Sequence, residues 1–126
     1  MKTWLDRICD PLENPKFPQI KYTLAEYDRD GKVIGKCAEG EIACQNKIPY
    51  KRYQTVLDDD DFRLLGIPED LVSDNILPIF DIRVFSLGSG YDLGYSISNY
   101  LFKLNDAGFT YPEIAEFMRT TFEDAV

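Results

Sequence analysis

Apolar positions recur every three to four residues in three stretches of this chain, and each such stretch predicts an amphipathic helix. The first carries Trp4, Leu5, Ile8 and Leu12 and is opened by Thr3 and Asp6, placed as cap and third helical residue. Pro11, Pro15 and Pro18 are expected to stop it soon after Cys9 and to impose an extended connection to about Gln19. The second, from Tyr95 to Asp106, aligns Ile97, Tyr100, Leu101 and Leu104, and Gly108 stands where a helix-ending glycine belongs. The third aligns Ile114, Phe117, Met118 and Phe122 behind Thr110-Tyr111-Pro112-Glu113, which joins a capping box to an early-helix proline. The last two form a helix pair, with Gly108 left-handed and Asn105 and Asp106 tying the turn through side-chain to backbone hydrogen bonds. A ligand role for the polar pair Asn105 and Asp106 is the competing reading.

Between these helices the pattern changes. Ile20 to Tyr27 and Lys32 to Lys36 are rich in β-branched and aromatic residues and flank Asp28-Arg29-Asp30-Gly31, a hairpin signal. The segment from Ala38 to Asn46 has helical composition, with Cys37, Ile42 and Ala43 available to face inward. Gly40 inside it costs about 1 kcal/mol relative to alanine, so it marks a close approach of another backbone. Asp58 to Asp61 read as a solvated acidic cap on a short helix that stops at Gly66-Ile67-Pro68, and Pro68 to Val72 begin a further helical turn. Ile76 to Leu87 read as a strand or extended segment, and Gly88-Ser89-Gly90, with Gly94 nearby, as a flexible turn. The fold class this implies is a single α+β domain over residues 1–126, mainly short helices with an N-terminal β-hairpin and a C-terminal helix pair.

Composition narrows the functions open to such a domain. Of the 126 residues, 44% are hydrophobic and 29% charged, which excludes a chain disordered throughout. No run approaches the ~18 apolar residues of a membrane span, and Asp6 and Arg7 stand where a signal peptide would be apolar, so neither membrane insertion nor secretion is expected. Histidine is absent, which removes the commonest general base and zinc ligand. Cys9, Cys37 and Cys44 are odd in number and read as free thiols in a reducing compartment, the cytoplasm. Cys37 and Cys44 lie too far apart for a zinc knuckle, and neither metal nor cofactor is expected. Glu26, Asp28, Asp30, Gly31 and Val33 match early positions of a calcium loop, but Cys37 falls where its bidentate glutamate belongs, so the turn reading is preferred. A reactive Cys37 thiol at a helix start is one candidate site, and a small thiol packed as a hydrophobe is the simpler reading.

Charge is divided unevenly. Residues 1–56 hold ten Lys and Arg against eight Asp and Glu, whereas residues 57–126 hold four against fourteen. An acidic half repels nucleic acid and suits a basic protein surface as partner. Gly108 to Glu116 also has the flavour of a helix-turn-helix opening, but no basic recognition helix follows before Val126.

The run Leu104-Asn105-Asp106-Ala107-Gly108-Phe109-Thr110-Tyr111-Pro112-Glu113-Ile114-Ala115 resembles the C-terminal signature Leu-Asn-Asp-x-Gly-x-x-Phe-x-Glu-Ile-Ala of small uncharacterised phage and bacterial proteins. Those proteins often carry an upstream Cys-x-x-Gly helix, to which Cys37-Ala38-Glu39-Gly40 is similar, although Glu39 and Glu41 occupy positions where apolar residues are expected. The resemblance covers about residues 35–46 and 100–118, and it implies a phage or mobile-element setting without supplying an activity or catalytic residues. The expectation is a non-enzymatic cytoplasmic accessory or interaction protein whose acidic half meets a basic surface. The alternative is a small-molecule binder or small enzyme using Cys37.

Overall fold

The computed structural model describes residues 2–72 and 96–125. Among them are six α-helices, α1 (Trp4–Glu13), α2 (Ala38–Gln45), α3 (Asp59–Leu64), α4 (Glu69–Val72), α5 (Ile97–Asp106) and α6 (Tyr111–Phe122), then a 3-10 turn at Glu123–Ala125. A two-stranded antiparallel hairpin, β1 (Ala25–Tyr27) and β2 (Val33–Lys36), completes a mixed helix and sheet fold. The Ile76 to Leu87 segment, the Gly88-Ser89-Gly90 turn and Gly94 lie outside the described residues.

The core is built from the apolar stripes. α1 packs along α6 and against α2, which in turn meets α5. Ile8, Leu12, Ile42, Leu101, Leu104, Ile114 and Met118 are fully enclosed, each side chain contributing on the order of 2 kcal/mol through removal from water. Trp4 meets Phe122 edge to face at 5.7 Å, closing one end of the α1–α6 seam. On the outer side of that seam Arg119 reaches from α6 to Asp6, Asp10 and Glu13 of α1 at 2.8–3.0 Å. Its guanidinium holds the Asp6 and Glu13 carboxyls below their usual range.

Three local expectations meet their geometry. Gly108 has φ +98, and the N–H groups of Gly108 and Phe109 donate to the carbonyls of Asn105 and Leu104, so the backbone alone closes α5. The Thr110 N–H donates to Glu113 Oε1 at 2.9 Å and the Glu113 N–H to Thr110 Oγ1 at 3.4 Å, capping α6 reciprocally. A Cβ at Gly40 would lie 1.9 Å from the Leu24 carbonyl oxygen, which is the close backbone approach inferred from a glycine in a helix.

Two others are corrected. α1 does not stop after Cys9 but runs through Pro11 to Glu13. A proline ring removes the N–H that would bond the carbonyl four residues back, and that carbonyl, on Arg7, instead accepts the Asn46 side-chain amide at 2.8 Å. Residues 20–24 are not strand, because Tyr22 takes a left-handed φ of 71 and its N–H donates to Asp106 Oδ1 at 3.0 Å. The hairpin is therefore short. Its turn is held by Asp28 Oδ1, which accepts the Asp30 and Lys32 N–H groups at 2.9 Å, with Gly31 at φ +81.

Candidate functional site

The three residues singled out from the sequence, Cys37, Asn105 and Asp106, converge where the start of α2 meets the end of α5. Cys37 is the N-cap of α2, and its sulfur accepts the Gly40 N–H at 3.5 Å. The thiol is 3% exposed, and burial pushes it up to about 12, so it keeps its proton at neutral pH. One residue on, the Ala38 N–H donates to Asn105 Oδ1 at 2.9 Å. The same oxygen accepts from Gln19 Nε2 at 2.8 Å, and Asn105 Nδ2 donates to the Ile20 carbonyl at 2.8 Å. Gln19 completes the connection by donating to the Phe109 carbonyl at 2.7 Å and accepting the Tyr111 N–H at 2.8 Å. Asn105 and Asp106 thus reach segments remote from their own turn: Asn105 joins α2 and the 19–20 segment, and Asp106 joins Tyr22. A recess of about 180 Å³ opens beside this network between Gln19, Lys21, Asn105, Gly108 and Thr110.

Two carboxylates of α2 extend the buried polar system. Glu39 and Glu41 are fully enclosed. Glu39 Oε1 accepts the Leu57 N–H at 2.8 Å and Oε2 faces the Ser98 hydroxyl at 3.5 Å. Burial pushes its carboxyl up to about 8, with the Leu57 N–H opposing the shift. Glu41 Oε1 accepts the Lys16 and Phe17 N–H groups, both at 2.9 Å, and Oε2 accepts Gln45 Nε2 at 3.0 Å. Lys36 is also buried, its ammonium donating to the Tyr50 hydroxyl and lying 4.7 and 5.1 Å from the Tyr50 and Phe17 ring centres. The Tyr111 hydroxyl donates to the Lys36 carbonyl, and its pKa is raised by burial and then by Glu41.

The chemistry available here is hydrogen bonding to backbone. Glu39, Glu41 and Asn105 each receive or donate bonds that secondary structure leaves open in the 16–20, 38 and 57 regions, as buried polar groups must. The sequence pattern assigned no role to Glu39, Glu41, Gln19 or Lys36. One signal was present, since residues 38–43 of α2 read Ala-Glu-Gly-Glu-Ile-Ala, small or apolar apart from the two acids, as in a helical stretch enclosed on all sides. Among the described residues no group of three or more His, Cys, Asp or Glu side chains is arranged to hold a metal ion.

The surface is different in character. α3 and α4 expose Asp58, Asp59, Asp60, Glu69 and Asp70 on one ridge. Arg63 pairs with Asp60 at 2.6 Å and with Glu69 at 2.7 Å. Leu64, 70% exposed, stands on the same ridge and lines a recess of about 330 Å³ with Ile48, Pro49 and Leu65 and with the polar Arg7, Asn46 and Lys47. Among the described residues no helix is long and apolar enough to cross a membrane. No protein-family model, curated protein or solved structure matches the chain.

Proposed function

We propose that this protein is a non-enzymatic interaction domain of the cytoplasm whose acidic α3–α4 ridge docks on a basic surface of a partner protein. One observation carries the reading: an exposed leucine, Leu64, stands on a short helix that also exposes Asp59 and Asp60, with a recess beside it. That combination supplies an apolar anchor with a charged rim, the arrangement from which protein interfaces draw affinity and orientation. Leu64 does not serve the core, which is filled by its neighbours Phe62 and Leu65. The free thiols Cys9, Cys37 and Cys44 suit a reducing compartment. The alternative, catalysis or ligand binding through Cys37, draws no support from a thiol that is buried, protonated at neutral pH and engaged as a helix cap.

The test is affinity capture at graded salt with the whole chain as bait, comparing wild type with an Asp59→Lys, Leu64→Ala double variant. A basic protein held by wild type at low salt, released as salt rises and lost by the variant supports the reading. Recovery of the same proteins by both baits, or of none by wild type, overturns it.

A further inference from the structure

The loop that follows α2 carries a second exposed feature, of opposite sign. Its backbone is pinned at Gln54. The Gln54 N–H donates to the Lys51 carbonyl at 3.1 Å, Gln54 Oε1 accepts the Lys51 N–H at 3.0 Å, and Gln54 Nε2 donates to the Val56 carbonyl at 2.7 Å. The Gln54 carbonyl in turn accepts from the Leu24 N–H at 3.1 Å and the Thr23 hydroxyl at 3.3 Å, fastening the loop to the segment ahead of β1. Tyr50, at the loop's entrance, is held by the buried Lys36 ammonium.

A loop fixed in this way would be unremarkable if its side chains were used by the fold. Lys51, Arg52 and Tyr53 are instead all exposed, Tyr53 by 85%. The Arg52 guanidinium lies 4.7 Å from the centre of the Tyr27 ring and 5.9 Å from that of Tyr53, and neither Lys51 nor Arg52 has a carboxylate within ion-pair distance among the described residues. With Gln54 and Asp58, Lys51, Arg52 and Tyr53 line a recess of about 460 Å³.

We infer that the Lys51-Arg52-Tyr53 loop and the recess it lines are a docking site for an acidic peptide segment of a partner protein, with carboxylates at Lys51 and Arg52 and an apolar side chain against Tyr53. Arginine and tyrosine are the residues that concentrate binding energy at protein interfaces. Tyr27 holds the guanidinium plane in place, and the Gln54 bonds hold the backbone, so docking costs little ordering of the loop. Two adjacent exposed cations without a carboxylate partner among the described residues, on a rigid loop beside a recess, give an anionic segment a place of attraction in a chain of net charge −8. Nucleic acid fits less well. Its affinity rests on many phosphates neutralised together, whereas this loop offers two cations with Asp58, Asp59 and Asp60 immediately beyond them. Asp58, which lines the same recess, disfavours a ligand carboxylate beside it, so the segment's carboxylates belong at Lys51 and Arg52.

The experiment pans a library of random dodecapeptides displayed on particles against the full chain, then measures the enriched peptides by fluorescence anisotropy. The expected result is enrichment of peptides joining Asp or Glu to an aromatic or aliphatic residue. Their affinity should fall more than about tenfold in the Arg52→Glu, Tyr53→Ala double variant, and should fall in Lys51→Glu, which touches no ring. Thermal melting of each variant confirms that the fold is kept. The Leu64→Ala variant, which leaves the charges around the loop unchanged, should bind these peptides as wild type does, which separates this site from the ridge. Absence of enrichment, enriched peptides without acidic residues, or full binding by folded Arg52→Glu, Tyr53→Ala protein overturns the inference. Saturable binding of a single-stranded oligothymidylate, abolished by the same substitutions, assigns the loop to nucleic acid and also overturns it.

Discussion

The Asn46 side-chain amide donates to the Arg7 carbonyl at 2.8 Å, and Arg7 is the residue whose carbonyl Pro11 leaves without its helical partner. A defect in one helix is thus repaired from the cap of another, since Asn46 is also the C-cap of α2 and bonds the Ile42 carbonyl at 2.8 Å. α1 can contain a proline because α2 ends beside it.

This relationship is measurable as a coupling. Asn46→Ala should destabilise the domain by about 1–2 kcal/mol, because it leaves the Arg7 carbonyl without its donor, whereas the Ile42 carbonyl keeps the backbone N–H of residue 46. In a Pro11→Ala background the restored N–H can bond the Arg7 carbonyl, so the same substitution should cost about 1 kcal/mol less. Urea unfolding of the four proteins gives the cycle, and equal costs in both backgrounds would show that Asn46 does not answer Pro11.

Glu39 makes stability depend on pH. Its carboxyl titrates near 4.5 when unfolded and is pushed up to about 8 when folded. Between those values the folded chain holds a proton that the unfolded chain has released. Its contribution is fully present below about pH 4.5 and is lost progressively as pH rises through about 8, by at most about 1.4 kcal/mol per pH unit. Glu39→Gln should flatten this fall, because the amide cannot ionise. Unfolding free energies at pH 5, 6, 7 and 8 for the two proteins test it; parallel curves would remove Glu39 as the cause.

Left-handed positions predict opposite signs for two substitutions. Lys47, with φ 59, ends α2 as Gly108 ends α5, its N–H donating to the Cys44 carbonyl and that of Ile48 to the Ala43 carbonyl. Lys47→Gly should stabilise by up to about 1 kcal/mol, by removing a side chain from a backbone conformation that disfavours it. Gly108→Val should destabilise by about 1–2 kcal/mol or more, since a β-branched residue is poorly tolerated there. Thermal melts decide both, and a Gly108→Val protein that melts with wild type would contradict the assigned turn geometry.

What could be read from the chain was what neighbours decide. Thr110 and Glu113 cap α6 across three residues, Gly108 closes α5 within one turn, and Asp28 with Gly31 folds the hairpin, all interactions whose partners adjoin in sequence. Gly40 was legible because a glycine in a helix has few explanations. The partners of Asn105 at Ala38 and Ile20 lie 67 and 85 residues away, so its residue type announced hydrogen bonding but could not say to what. Glu39 and Glu41 are enclosed with their side-chain oxygens bonded by distant N–H groups, at Leu57 and at Lys16 and Phe17, which offset part of the cost of burying polar groups. The exposed ridge and loop were legible only as charge, since a sequence does not say which side chains the core leaves outside.

The α1–α6 seam sets an order of events for a chain made from its amino end. The Cys9 thiol donates to the Ala115 carbonyl 106 residues later, so the apolar stripe of α1 leaves the ribosome long before the helix that covers it exists. Until α6 emerges, Ile8 and Leu12 have no final partner on that side, and the growing chain shows a greasy flank to chaperones and to its neighbours. The seam closes only when α6 emerges, and a chain cut short before Ile114 should be recognised as unfinished throughout, not merely frayed at one end.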